Sequence, residues 1–183
     1  GLSLTAAAAY TDAKTKGNIC FASVVVDPSP DCSALLDDQG TPDPSDDDFN
    51  FIVTPSGTRL PVTPKFKATA TARYAWPVGP GRAHVQGSIA YQGSAAADLR
   101  QDIEMDPDVV LNPNDFLGRI KSSTLIDVFA GYDWQKHSVE LFVTNLFDER
   151  NELSRFVVCS ICTQTKILSG RPRTIGLRLG TRF

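Results

Sequence analysis

The chain has 183 residues, of which 42% are hydrophobic and 21% charged, a composition that allows one folded domain and excludes a disordered protein. Its formal net charge of −3 at pH 7 has the wrong sign for a nucleic-acid-binding protein. No apolar run approaches the ~20 residues that a membrane helix needs. Transmembrane β-strands would produce no such run, because they have about 10 residues each and alternate in polarity.

Period-two alternation of apolar and polar residues recurs along the chain, which is typical of strands and not of helices. Between residues 82 and 93, for example, Val85, Ile89 and Tyr91 lie on one face of a predicted strand, while His84 and Gln86 lie on the other. The alternating segments span residues 2–14, 64–76, 82–93, 122–134, 138–147 and 171–183. The pattern therefore predicts an all-β, antiparallel fold.

The connections between these segments alternate in length. Short turns at 77–81 and 135–137 join the second segment to the third and the fourth to the fifth. The other connections are long polar stretches, at 15–63, 94–121 and 148–170. Outer-membrane barrels have this construction, with short periplasmic turns and long extracellular loops.

Aromatic residues collect at both ends of the predicted strands. The short-turn end holds Tyr74, Trp76, Tyr132, Trp134 and Phe183, and the long-loop end holds Tyr10, Tyr91 and Phe147. Small aliphatic residues occupy the strand centres, where a soluble sandwich would place bulky core residues. The distribution predicts two interfacial aromatic girdles, with Tyr74, Trp76, Tyr132 and Trp134 in the periplasmic one.

The fourth segment conflicts with this pattern. Leu125 and Phe129 fall on its polar face, beside Asp127 and Asp133. Either the strand packs against something inside a barrel, such as a plug, or a bulge shifts its register.

The four cysteines form two local pairs along the chain. They are Cys20, Cys32, Cys159 and Cys162. An even number in an exported protein favours disulfides, and four cysteines allow three pairings, of which Cys20–Cys32 and Cys159–Cys162 are the local choice. A zinc site made of both pairs is the alternative, but His84 and His137 lie in or beside predicted strands, away from the cysteine loops.

No catalytic constellation is present in the sequence: it lacks a nucleophile elbow, a paired metal-binding motif and a phosphate-cradling glycine loop. We therefore expect neither an enzyme nor a cofactor. Residues 27–48 contain eight Asp and no Lys or Arg, so their oxygens could ligate calcium. Their spacing does not match an EF-hand, which favours a solvated loop or an acidic surface for a cationic or metal-chelate ligand.

Two motifs near the end of the chain carry a family resemblance. Residues 145–148 read Asn-Leu-Phe-Asp, and residues 172–174 read Pro-Arg-Thr at the start of a last strand that ends on Phe183. These motifs and the last strand closely resemble the C-terminus of TonB-dependent outer-membrane receptors. Residues 60–65 add weaker support for the same resemblance. The resemblance implies an antiparallel transmembrane β-barrel of about 22 strands with a plugged lumen. Six strands would be its C-terminal portion, with the N-terminal plug and earlier strands missing.

The resemblance also implies a transport function in the outer membrane of a Gram-negative bacterium. The receptor would bind a large scarce ligand, such as a ferric siderophore, and import it with energy from the TonB system, reached through the missing N-terminal region. Phe183 would be the signal read by the barrel-assembly machinery. Gly1 opens inside an alternating segment without an export signal, which suggests a truncated start.

Two other functions fit the pattern. A passive porin-like barrel would share the aromatic girdles and lack the plug and the TonB dependence. A soluble β-sandwich binding module with disulfide-stapled loops is the third possibility, and partitioning into membranes discriminates it from the other two. The sequence does not predict the ligand, because one fold serves many ligands.

Overall fold

The fold is all-β and antiparallel in the computed structural model of the chain. The structure describes residues 1–20, 32, 35–37, 48–49, 52–100, 103–106, 109–157 and 164–182. In chain order the strands are β1 (Leu2–Tyr10), β2 (Ile19–Cys20), β3 (Leu35–Asp37), β4 (Asp48–Phe49), β5 (Ile52–Thr54), β6 (Phe66–Val78), β7 (Gly81–Gln92), β8 (Ile103–Asp106), β9 (Val109–Leu111), β10 (Ser123–Trp134), β11 (His137–Thr144), β12 (Glu152–Phe156), β13 (Lys166–Ser169) and β14 (Thr174–Thr181), with one short helix, α1 (Pro113–Leu117), before β10.

One six-stranded sheet dominates the molecule. Its strand order is β1-β6-β7-β10-β11-β14, so each strand pairs with the next one of the sheet along the chain. All five pairings are antiparallel. Within the described residues β1 and β14 are the two edges of the sheet, and no pairing joins them into a closed barrel. The shorter strands form the two-stranded pairs β2-β5, β3-β4, β8-β9 and β12-β13.

The strand register collects the apolar residues on one face of the sheet, here called the apolar face. One row across all six strands reads Leu2, Tyr74, Val85, Ala130, Leu141 and Leu177. A second row reads Leu4, Ala72, Gly87, Val128, Val143 and Ile175. The opposite, polar face includes the row Ala75, His84, Gly131, Glu140 and Arg178. Because side chains alternate along a strand, a slip of one residue would exchange the two faces.

The hydrophobic core lies outside this sheet. The described hydrophobic residues that are buried all belong to the long connections: Cys32, Val53, Ala95, Leu117 and Ile120. On the apolar face, by contrast, Leu4 is 70% exposed and Leu179 is 73% exposed. Ordinary monomeric proteins do not leave a continuous apolar surface of this kind uncovered.

The long connections form a compact layer at one end of the sheet, which we call the loop layer. Isolated bridges join Lys14 to Arg59 and Ala95 to Ile120, so the first connection and the second each fold back on themselves. The Val62 amide donates to the Ala96 carbonyl at 3.0 Å and ties the two connections together. Helix α1 is capped by Asn112, whose side-chain oxygen accepts from the Asn114 amide.

The six predicted segments all form strands of the main sheet, with corrected ends. The first strand stops at Tyr10, the fifth stops at Thr144, and the last begins at Thr174. The turn between the second and third segments is shorter than predicted, because β6 continues to Val78 and β7 begins at Gly81. The long connections, expected to be irregular, contain the short strand pairs and α1.

The bulge suggested for the fourth segment is wrong. β10 pairs with β7 without interruption from Ser123 to Trp134, and with β11 from Val128 to Trp134. Leu125 and Phe129 therefore do lie on the polar face. Among the described residues, no helix is long and apolar enough to cross a membrane.

Candidate functional site

Stacked aromatic pairs mark the short-turn end of the apolar face. Tyr74 stacks on Trp76 with ring centroids 5.4 Å apart, and Tyr132 stacks on Trp134 at 5.5 Å. The Tyr132 hydroxyl also donates to the Val78 carbonyl at 2.8 Å. Each ring thus presents an apolar body together with a polar group, the combination that suits a boundary between an apolar phase and water.

A second group of rings lies at the loop end of the same sheet. Phe66 and Tyr91 are neighbours with centroids 6.1 Å apart, and Tyr10 is 68% exposed. Phe147 is 70% exposed just after β11. The described aromatic residues of the apolar face therefore form two bands, and the face between them carries alanine, valine, leucine and isoleucine.

A charged cluster lies on the polar face near the short turns. His84 is only 7% exposed, and its Nε2 lies 3.3 Å from Glu140 Oε2. Its Nδ1 has no hydrogen-bond partner in the described part of the chain and lies 3.7 Å from Asp133 Oδ2. Arg178 Nη1 donates to Glu140 Oε1 at 2.5 Å, so the cluster connects β7, β10, β11 and β14.

Next to this cluster the polar face carries an apolar patch. The rings of Phe129 and Phe142 lie 6.5 Å apart, and the Arg178 guanidinium carbon lies 5.5 Å from the Phe142 centroid. A cation over an aromatic face is stabilising. The sequence pattern located Phe129 here but not its partners, which come from other strands.

The Asn-Leu-Phe-Asp motif is a structural junction. Asn145 is 4% exposed and has a positive φ of 51°. Its Nδ2 donates to the carbonyls of Glu149 and Arg171, at 2.9 and 3.0 Å, and its Oδ1 accepts from the Glu149 amide at 2.8 Å. The Asn145 amide donates to Asp127 Oδ1 at 2.8 Å. The motif therefore fastens the end of β11 to β10 and to the approach of β14.

The second motif completes the junction. Asp148 also has a positive φ, 55°, and its Oδ1 accepts from the Arg173 amide at 2.9 Å. Asp148 and the Pro172–Thr174 stretch, which are separated along the chain by a long connection, thus meet at the loop end of the sheet.

An open cavity of about 670 Å³ lies in the loop layer, and we call it the loop-end cavity. Its charged lining residues are Arg59, Asp98 and Arg119. Its hydrogen-bonding lining residues include Ser56, Thr58, Thr63, Ser94, Asn112 and Asn114. No sequence motif surrounds Arg59 or Arg119, so the sequence alone did not single them out.

The one carboxylate of this lining is already paired. Arg100 holds Asp98 through two charge-assisted hydrogen bonds of 3.0 and 2.8 Å. Burial by itself would raise the pKa of Asp98, but the hydrogen bonds and positive charge of Arg100 outweigh burial and lower that pKa. Asp98 is therefore ionised, and Arg100 balances its negative charge in the wall of the cavity.

A partly buried ion pair holds the third connection against α1. Arg155 contacts Glu152 through two hydrogen bonds of 2.8 Å, and it donates a third to the Leu117 carbonyl at 2.8 Å. The Lys121 amide donates to Glu152 Oε2 at 3.2 Å. The hydrogen bond from Arg155 is the main cause that lowers the pKa of Glu152.

The predicted cysteine and terminal sites lie partly outside the described residues. Cys20 and Cys32 form a disulfide with Cα atoms 5.4 Å apart, which is the local pairing expected for the first loop. Cys159, Cys162, Phe183 and most of the acidic segment 27–48 lie outside the described residues. In the described ranges, no group of three or more His, Cys, Asp or Glu side chains could hold a metal ion.

Comparison with known proteins identifies no family for this chain. A scan against protein-family models found no match. A search of curated proteins found none either.

Proposed function

We propose that the chain is the C-terminal wall and loop portion of a TonB-dependent outer-membrane receptor, which imports a large scarce ligand such as a ferric siderophore. The observation that carries the proposal is the exposed apolar face, uniform across six strands and bounded by two aromatic bands. Lipid covers such a face in outer-membrane barrels, whose strands alternate apolar-out and polar-in.

The position of the buried residues supports the same assignment. A soluble sandwich buries the centre of its sheets, whereas here the buried hydrophobic residues belong to the loop layer and Leu177, in mid-strand, is 61% exposed. A sheet in hydrocarbon must also close, because unpaired edge groups are costly there. The edges β1 and β14 therefore call for further strands, and these would supply the rest of a plugged barrel.

The composition of the polar face favours a barrel with a filled lumen rather than an open passive pore. Leu125, Phe129 and Phe142 lie on that face among charged residues, and apolar side chains need a cover that water does not provide. A plug domain would provide one. In this function no bond is made or broken, and the loop layer takes the extracellular side with the short turns in the periplasm.

The test is to recover the native protein from the bacterial envelope with an antibody to residues 27–48. We expect it in the outer-membrane fraction of a sucrose gradient, soluble only in detergent, with an intact mass several times 19.8 kDa. A folded protein that stays in aqueous buffer without detergent would overturn the membrane function. A membrane protein of about 19.8 kDa would overturn the large plugged receptor.

A further inference from the structure

We propose that the loop-end cavity binds a small oxyanionic ligand, a molecule with carboxylate or phosphate groups, through Arg59 and Arg119. The inference rests on the proposed function, because it names the ligand chemistry that the extracellular loops of this receptor would take. It concerns the described loop layer alone.

The cavity has the dimensions of a ligand site, and its lining is tied to the core of the loop layer. Its volume of about 670 Å³ lies within the range of small-molecule pockets, roughly 300–1,000 Å³. One lining residue, Ala95, lies in paired backbone, since the Ala95 and Ile120 amides donate to each other's carbonyls at 3.1 and 3.0 Å. Ile120 is 1% exposed, so this pair ties the lining to the core of the loop layer.

The charge of the lining favours an anion. Arg59 and Arg119 make no hydrogen bond or ion pair to any residue that the structure describes. The nearby Asp12 is held mainly by Lys14, at 3.0 Å, and Arg59 adds only a weak charge effect on its pKa. Asp98 is taken by Arg100. Among the described residues, no side chain therefore occupies either of these two guanidinium groups, in a chain of net charge −3.

The neutral groups of the lining fit the same ligand. Ser56 and Ser94 line the cavity beside the arginines, and each of them carries a hydroxyl donor. A guanidinium presents a planar fork that matches carboxylate and phosphate oxygens, and hydroxyl donors extend the recognition to further oxygens. The two arginines of this cavity would repel a cationic ligand, which is the kind of ligand that the acidic segment alone would suggest.

The experiment is equilibrium dialysis of the full protein, purified from the outer membrane and reconstituted in phosphatidylcholine vesicles. The probes are labelled tricarballylate, a tricarboxylate that carries no metal, and inorganic phosphate. Spermidine and raffinose are the cationic and neutral comparisons. The variants are Arg59→Gln and Arg119→Gln, with Arg150→Gln as the matched control, because Arg150 is an exposed arginine outside the cavity lining.

We expect one or both anions to bind while spermidine and raffinose do not. Each cavity variant should weaken binding about tenfold or more, because a hydrogen bond to a charged group is lost, and the Arg150 variant should bind like the unmodified protein. Equal binding by all three variants, binding of spermidine in place of the anions, or no anion binding would overturn the site.

Two further comparisons distinguish a membrane phosphate from a free solute, and failure of the cavity site from failure of the proposed function. Vesicles that contain lipid A should weaken probe binding if membrane phosphates are the natural occupant, and should leave it unchanged if the ligand is a free solute. Both results keep the oxyanion assignment. Membrane-bound protein that fails to bind anions would overturn the cavity site alone, whereas failure of the proposed function would appear in the fractionation.

Discussion

Individual glycines make room for bulky side chains on the polar face. A Cβ at Gly131 would lie 2.3 Å from the His84 ring and 3.1 Å from the Val139 carbonyl oxygen. Because His84 is buried between two carboxylates, its ring has little freedom to move away. The charged cluster therefore depends on Gly131, because only a residue without a side chain leaves room for the His84 ring.

We expect Gly131→Ala to lower the free energy of unfolding by about 1–3 kcal/mol, since overpacking displaces the ring. Gly87→Ala is the control, because a Cβ there meets nothing within 4 Å. Urea unfolding in vesicles, followed by the fluorescence of Trp76 and Trp134, measures both. Adding His84→Ala to Gly131→Ala should recover part of the loss, and equal stability of the two glycine variants would contradict the close contact.

At the scale of elements, the junction around Asn145 decides how β11 leads into the connection before β14. Its three side-chain hydrogen bonds replace the pairing that backbone groups lose where the strand ends. Its positive φ is one that asparagine tolerates and alanine does not.

Two substitutions at this position separate the two effects. We expect Asn145→Gly to cost about 2–4 kcal/mol through the lost hydrogen bonds. Asn145→Ala should cost roughly 1 kcal/mol more, because the left-handed conformation strains a Cβ. Thermal unfolding of the reconstituted protein measures the difference. Equal losses would mean that backbone conformation contributes nothing to the junction.

The Glu152–Arg155 pair makes the loop layer sensitive to acid. The folded-state pKa of Glu152 is lowered from its ordinary value of 4.5, so the pair stabilises the fold above that pH. This stabilisation is lost as pH falls below 4.5 and through the folded-state pKa.

We therefore expect Glu152→Gln to cost about 1.5–3 kcal/mol at neutral pH, the range for hydrogen bonds to charged groups. The cost should shrink as the pH falls below 4.5 and through the folded-state pKa, because the carboxyl is protonated in both states only below that folded-state pKa. Unfolding curves across this pH range measure it. Glu149→Gln, an exposed carboxylate of the same connection, is the control, and a pH-independent difference would refute the assignment.

At the scale of the whole molecule, the sheet has one apolar face and one polar face. Thr71 and Ala72 are adjacent in β6 and point to opposite faces. Under the proposed function, a cation on the apolar face would have to enter hydrocarbon. A cation on the polar face would lie near Asp127, with only Ser88 of β7 between Asp127 and Thr71 across the sheet.

We expect Ala72→Arg to lower the free energy of unfolding in vesicles by about 2–4 kcal/mol, the cost of an arginine near the bilayer midplane. Thr71→Arg should change it by roughly 0.5 kcal/mol or less. Both variants are compared by urea unfolding in the same lipid. Equal effects would show that the two faces meet the same solvent and would contradict the membrane orientation.

The six strands of the main sheet, the composition of both its faces and its aromatic bands were all predictable from the sequence. Alternation is a local property of an extended backbone, so Val85, Ile89 and Tyr91 identify their shared face without any knowledge of neighbouring strands. The junction motif was also visible, although its hydrogen bonds to Asp127 and Arg171 were not.

Only the tertiary structure decided which distant residues meet. The carboxylates around His84 come from β10 and β11, and the cavity arginines come from two different connections. Short-range periodicity carries no information about such pairs, because strand register and loop packing depend on the whole chain at once. Thus the sequence determined that this protein has an apolar face, whereas the register decided how that face continues across six strands and where the charged groups gather.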